Sequence, residues 1–92
     1  MPIEIVWSPL AISRLHQIRA YIAHDKPEAA ERLAMRIVAI VETLRNHPRL
    51  GRASAEPGIR ELVIGGTPFI VMYRLQDEQV IVATIRHAAQ QE

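Results

Sequence analysis

With 92 residues the chain has room for one hydrophobic core and not two. A composition of 49% hydrophobic and 23% charged residues with a net charge of +1 excludes a disordered tail, a membrane bundle and a general polyanion binder. The absence of cysteine removes disulfides and thiolate chemistry, and His16, His24, His47 and His87 show no H-x3-H or H-E-x-x-H spacing, so neither a metal nor a cofactor is expected. The longest apolar runs, Ile37 to Val41 and Phe69 to Tyr73, are far below the roughly 18 residues of a membrane span, and the Met-Pro-Ile-Glu-Ile start has no signal-peptide pattern, so a cytoplasmic location is expected.

In chain order, Ile3 to Trp7 is β-branched and aromatic and reads as a strand, stopped at Ser8-Pro9, where Ser8 suits a helix cap and Pro9 the first helical turn. From Pro9 to about His24, Ala11, Leu15, Ile18 and Ile22 fall in steps of four, three and four and draw one apolar stripe. Asp25-Lys26-Pro27-Glu28 predicts an end to this helix and an Asp25-capped start to the next. The second helix carries Ala30, Leu33, Ile37, Ile40, Val41 and Leu44 inward, and Asn46-His47-Pro48 stops it. Residues 49–58 are dense in Gly, Pro and small side chains and read as a loop. Three strands follow, about Ile59 to Ile64, Phe69 to Leu75 and Gln79 to Arg86, joined at Gly65-Gly66-Thr67-Pro68 and Gln76-Asp77-Glu78. The expected fold is one α+β domain over residues 1–92: an N-terminal strand, an antiparallel helical hairpin and a three-stranded antiparallel meander, with the helices on one face of the sheet.

These turns set a register. Pairing Ile64 with Phe69 and Leu75 with Val80 places Arg60 opposite Tyr73, Tyr73 opposite Val82 and Arg86 opposite Phe69. One face then carries Arg60, Leu62, Ile64, Phe69, Val71, Tyr73, Val80, Val82, Thr84 and Arg86, and the other Ile59, Glu61, Val63, Ile70, Met72, Arg74, Ile81, Ala83, Ile85 and His87. Both are apolar at their centres, while two short helices cover only one. A protein partner, or a second copy of the chain, is therefore expected on whichever face the helices leave uncovered.

Trp7-Ser8-Pro9, Pro27-Glu28-Ala29-Ala30, the run from His47 to Arg52, Pro57-Gly58-Ile59-Arg60-Glu61-Leu62, Thr67-Pro68-Phe69-Ile70-Val71-Met72-Tyr73-Arg74 and Arg86-His87, in this order and spacing, resemble the RelE/ParE superfamily of toxins. The resemblance covers nearly the whole chain. It implies a growth-inhibiting toxin of a type II toxin–antitoxin, or plasmid stabilisation, system, neutralised by a cognate antitoxin and reaching operator DNA only within that complex. Leu62, Ile64, Phe69, Val71 and Val82 are the antitoxin-binding candidates.

Two mechanisms occur in the superfamily. RelE-type members cleave mRNA on the ribosome and need cations and an acid or base at the scissile phosphate, whereas ParE-type members poison DNA gyrase without a hydrolytic set. The resemblance leads to an arginine just inside the strand from Phe69 to Leu75 in the RelE type; this chain has Ile70 there, and Ala88-Ala89-Gln90 near its end. Gyrase poisoning is thus favoured, with ribosome-dependent cleavage or a binding-only, catalytically degenerate member as alternatives. Arg60 and Tyr73 are the catalytic candidates, and Arg49, Arg52, Arg74, Arg86 and His87 the target- or RNA-binding candidates; arginine suits bidentate phosphate contacts.

Overall fold

A computed structural model describes residues 3–89. The chain forms β1 (Glu4–Trp7), α1 (Pro9–Ala23), α2 (Pro27–Glu42), a 3-10 turn (Thr43–Arg45), β2 (Arg52–Ala53), β3 (Arg60–Val63), β4 (Phe69–Gln76) and β5 (Gln79–His87). The strands make one mixed sheet in the order β1-β5-β4-β3-β2, in which β1 runs parallel to β5 and the other pairs are antiparallel. The α+β reading and the helical hairpin therefore stand. Two additions complete the sheet: β1 joins the meander at β5, and β2 forms a two-residue edge inside the segment expected to be loop. No described helix is long and apolar enough to cross a membrane.

The start of α1 shows how the sequence encodes its geometry. Ser8 sits in extended backbone, and its Oγ accepts the Ala11 N–H at 3.0 Å, supplying one of the donors that a helix start leaves unmet. The same hydroxyl donates to the Ala83 carbonyl at 2.7 Å, and the Ser8 N–H donates to Val82 O at 3.0 Å. Ala83 is where β5 bulges: Met72 pairs with Thr84 and Tyr73 with Val82, so Ala83 has no partner on β4. Ser8 thus caps a helix and satisfies the bulge carbonyl at once. Ser8→Ala is expected to lower stability by about 1–2 kcal/mol, the range of a lost cap with an orphaned acceptor; an unchanged urea midpoint would contradict the double role.

The bulge corrects the expected register. Beyond it, every β5 residue shifts by one, so His87 and not Arg86 lies opposite Phe69, and Arg86 pairs with Ile70. Ile85 turns inward and is 1% exposed, while Arg86 turns outward to Glu61. Nearer the chain's turns the expected pairs hold: Arg60 faces Tyr73, Tyr73 faces Val82 and Leu75 faces Val80.

The start of α2 also differs. The cap position falls on Lys26, without a side-chain hydrogen bond, rather than on Asp25. Pro27 fixes the first helical residue and holds its predecessor out of the helical region, with Lys26 at φ −139° and ψ 81°. In the two-residue turn between β4 and β5, Asp77 and Glu78 both take positive φ, 51° and 63°. This is the backbone that a tight hairpin demands, here met without glycine.

The core lies between the hairpin and one sheet face. Ala11, Ile37, Val41, Leu44, Leu62, Ile64, Val71, Tyr73, Val80, Val82 and Ile85 form one buried cluster, with Leu15, Ile18, Leu33 and Trp7 packed against it. The apolar stripe of α1 and the inward side of α2 are the ones their spacing predicts. Burying each large side chain here contributes about 1.5–3 kcal/mol relative to leaving it exposed.

Candidate functional site

Apart from Arg49, exposed in the loop before β2, the residues expected to act on a target fall into three groups, and the first surrounds Tyr73. This tyrosine, wholly buried in β4, sends its hydroxyl to the loop that follows the 3-10 turn. It donates to the Pro48 carbonyl at 2.8 Å and accepts the Gly51 N–H at 2.9 Å. Its cross-strand neighbour Arg60 donates from Nη1 to the Gly51 carbonyl at 2.8 Å. Glycine at 51 is required by space: a Cβ there would stand 2.7 Å from Tyr73 Cε1 and 2.9 Å from the Glu61 carbonyl oxygen. Burial pushes the Tyr73 phenol above the ordinary tyrosine value, partly offset by the Gly51 hydrogen bond and the Arg60 charge. A neutral phenol committed to two backbone groups is a clamp and a poor general base. The sequence brings Arg60 and Tyr73 together as expected, with their polar atoms turned to the loop.

The second group lies on the outer sheet face. Glu61 bridges two arginines, with Arg52 Nε 3.0 Å from Oε1 and Arg86 Nη2 3.3 Å from Oε2. The hydrogen bond from Arg52 is the largest influence holding the Glu61 carboxyl below the usual carboxylate range; partial burial opposes it, and Arg86 adds to it. Arg74 projects from the same face, exposed, opposite Ile81. Four residues of β4 separate the pairing positions of Arg86 and Arg74, about 14 Å along the strand. Ile70, only 6% exposed, occupies the place beside Arg86. Arg52 and Arg86 share one acid, and Arg74 stands apart from them.

The third group is a groove of about 440 Å³ between α1 and the ends of β4 and β5, lined among others by Arg14, Ile18, Tyr21, Phe69, Ile85 and His87. The His87 ring meets Phe69 edge-on at 5.5 Å between centroids, and its Nδ1 accepts the Ala89 N–H at 3.1 Å. Tyr21 stands at the groove 82% exposed. Arg14, on the side of α1, reads from its position as solvated or antitoxin-facing, whereas the sequence reading does not single out Tyr21 as a site residue. The available signal was an apolar residue on the solvent side of the α1 stripe.

One expected set is misplaced. Leu62, Ile64, Val71 and Val82 are at most 5% exposed because the hairpin covers their face, so they form the core and present no surface to a partner. Of the five antitoxin candidates only Phe69 reaches a groove. The uncovered face is the opposite one, with Glu61, Val63, Met72, Arg74 and Ile81. Among the described residues no three His, Asp or Glu side chains gather as a metal set.

A two-helix hairpin on one face of a mixed five-stranded sheet, with an arginine-rich outer face and an apolar groove beside α1, defines a small α+β domain. Residues 5–92 match the family model described as the ParE toxin of the type II toxin–antitoxin system parDE. The chain is 40% identical over 88 residues to "Putative toxin Y4kP" of Sinorhizobium fredii, covering 96% of this chain and 91% of that protein. It is 37% identical over 86 residues to "Toxin RelE2" of Caulobacter vibrioides, covering 94% and 96%. Its fold superposes on a chain of the chromosomal ParDE toxin–antitoxin system from P. aeruginosa with a TM-score of 0.85 and 25% identity, covering 92% and 95% of the two chains. A chain of the RelBE2 complex from Mycobacterium tuberculosis shares the fold, with a TM-score of 0.61 at 21% identity. The chain belongs to the ParE toxin family, as a toxin of a type II toxin–antitoxin system.

Proposed function

We propose that this toxin arrests growth by binding DNA gyrase and cleaves no RNA of its own. One observation carries the reading: of the pair best placed for phosphoryl chemistry, Tyr73 commits its hydroxyl to the Pro48 and Gly51 backbone, and Arg60 turns a guanidinium N–H to the Gly51 carbonyl. Proton transfer on a ribose hydroxyl needs a titrating group near neutrality within reach of the substrate. The Tyr73 phenol is buried, and its pKa is moved the wrong way. The outer cations are equally unsuited, since Arg52 and Arg86 share Glu61, and Arg74 is a strand segment away. Gyrase poisoning asks only for a shaped binding surface. The names of the matched proteins include both ParE and RelE, so the reading rests on this site chemistry.

A cognate antitoxin is the second partner, supported by the match to a ParDE toxin–antitoxin chain at a TM-score of 0.85. The groove beside α1 suits it: an apolar floor at Ile18, Phe69 and Ile85 with Arg14 among the lining residues fits an amphipathic segment carrying acidic side chains. Operator DNA would be reached through that complex. The gyrase reading is tested by adding purified chain to gyrase and to a translation reaction; lost supercoiling with intact mRNA supports it, and ribosome-dependent cleavage opposes it.

A further inference from the structure

The loop between the 3-10 turn and β2 is held far more firmly than a connection requires. Asn46 and His47 N–H groups both donate to Thr43 O, at 3.2 and 3.1 Å, and Leu50 N–H donates to His47 O at 3.0 Å. Tyr73 then grips the loop at Pro48 and Gly51, and Arg60 grips it again at Gly51. Connecting segments are ordinarily the mobile and tolerant parts of a fold. This one is fastened to the buried sheet through a fully buried tyrosine. What the fastening displays is also unusual: Leu50 is 56% exposed beside an exposed Arg49 that forms no ion pair among the described residues. An apolar side chain set next to a cation on a rigid support has the form of an interface anchor, because ordering that would otherwise be lost on binding is already in place.

Resting on the toxin reading above, we infer that residues 47–50 form a target-contacting element, in which Leu50 enters an apolar recess and Arg49 meets an acidic group on a protein surface. Tyr73 and Arg60 are its positioning residues. The exposed leucine favours protein over nucleic acid, since a phosphate backbone offers an arginine a partner and a leucine none. Arg52, the other loop-side cation, is turned to Glu61 across β2 and β3, which leaves Arg49 as the charge on this element. The groove beside α1 is lined by a separate set of residues.

Growth arrest on induction of the full chain without antitoxin, compared at equal soluble protein, tests the inference together with amide exchange of the purified protein. Leu50→Ser, at an exposed position, is expected to weaken arrest at least tenfold with exchange unchanged. Tyr73→Phe keeps the buried ring and removes only the hydroxyl; it is expected to speed exchange at Gly51 at least tenfold and to weaken arrest as well. Full toxicity in both variants would overturn the inference. Weakened arrest in Arg49→Ala with full toxicity in Leu50→Ser would overturn the protein recess in favour of a phosphate contact. Wild-type arrest with Gly51 exchange unmoved in Tyr73→Phe would overturn the clamp alone. A wild-type chain that arrests nothing would instead refute the toxin reading and, with it, the element's role.

Discussion

Ile85→Ala lowers the free energy of unfolding by about 2–5 kcal/mol, the cost of deleting a buried aliphatic side chain that its surroundings cannot refill, while Thr84→Ala next to it changes stability by no more than about 0.5 kcal/mol, as for partly exposed positions generally. The contrast follows from one residue. A meander without a bulge would point Thr84 inward and Ile85 outward. The unpaired Ala83 reverses that order and leaves Ile85 at 1% exposure within the cluster of Val71, Val80 and Val82. The same reversal sends Arg86 to Glu61 and His87 to Phe69, so it decides which groups occupy the outer face and which the groove. Urea unfolding of the two variants reads it directly. A small loss in Ile85→Ala with a large one in Thr84→Ala would mean that the strand pairs without the bulge.

The second large effect is at Gly51. Gly51→Ala lowers stability by about 1–3 kcal/mol, the usual range for a group forced into filled space, and the upper part of that range is expected because neither neighbour can withdraw. The Tyr73 ring, 2.7 Å from the added carbon at Cε1, is wholly buried and tied by its hydroxyl at both Pro48 and Gly51. The other neighbour, the Glu61 carbonyl at 2.9 Å, is backbone in a strand paired on both sides. Relief therefore comes by moving the loop, which loosens the element carrying Arg49 and Leu50. Thermal unfolding measures the loss, and a midpoint equal to that of the wild type would contradict the close packing of loop on tyrosine.

Much of this architecture was legible in the sequence, and the failures have separate physical causes. Ser8-Pro9 and the steps from Ala11 to Ile22 specify a capped amphipathic helix through local rules, and α1 follows them. The pairing of Arg60 with Tyr73 was also legible, because a short hairpin turn fixes register near itself. Register farther along β5 was not, since Ala83 has no side chain that announces a bulge, and the bond stabilising its carbonyl comes from Ser8, distant in sequence. Strand β2 was missed because two residues, Arg52 and Ala53, carry no alternation to detect. The choice of sheet face failed for a related reason. Both faces are apolar at their centres, so pattern alone gave the partner Leu62, Ile64, Val71 and Val82, which the hairpin itself covers. At the site, the turn and the strand register set Arg60 across from Tyr73, but register carries no information on where a hydroxyl points. Only the three-dimensional contact with Pro48 and Gly51 distinguishes a clamp from an acid or base.

That distinction separates the two activities open to this family of folds, and gyrase supercoiling is the measurement that addresses it most directly. Relaxed plasmid, gyrase and ATP are incubated with increasing amounts of the purified chain in the absence of antitoxin. Supercoiling is expected to fall progressively as the chain approaches the enzyme concentration. Full supercoiling at every ratio, from a preparation that cleaves mRNA only when ribosomes are present, would contradict the gyrase reading.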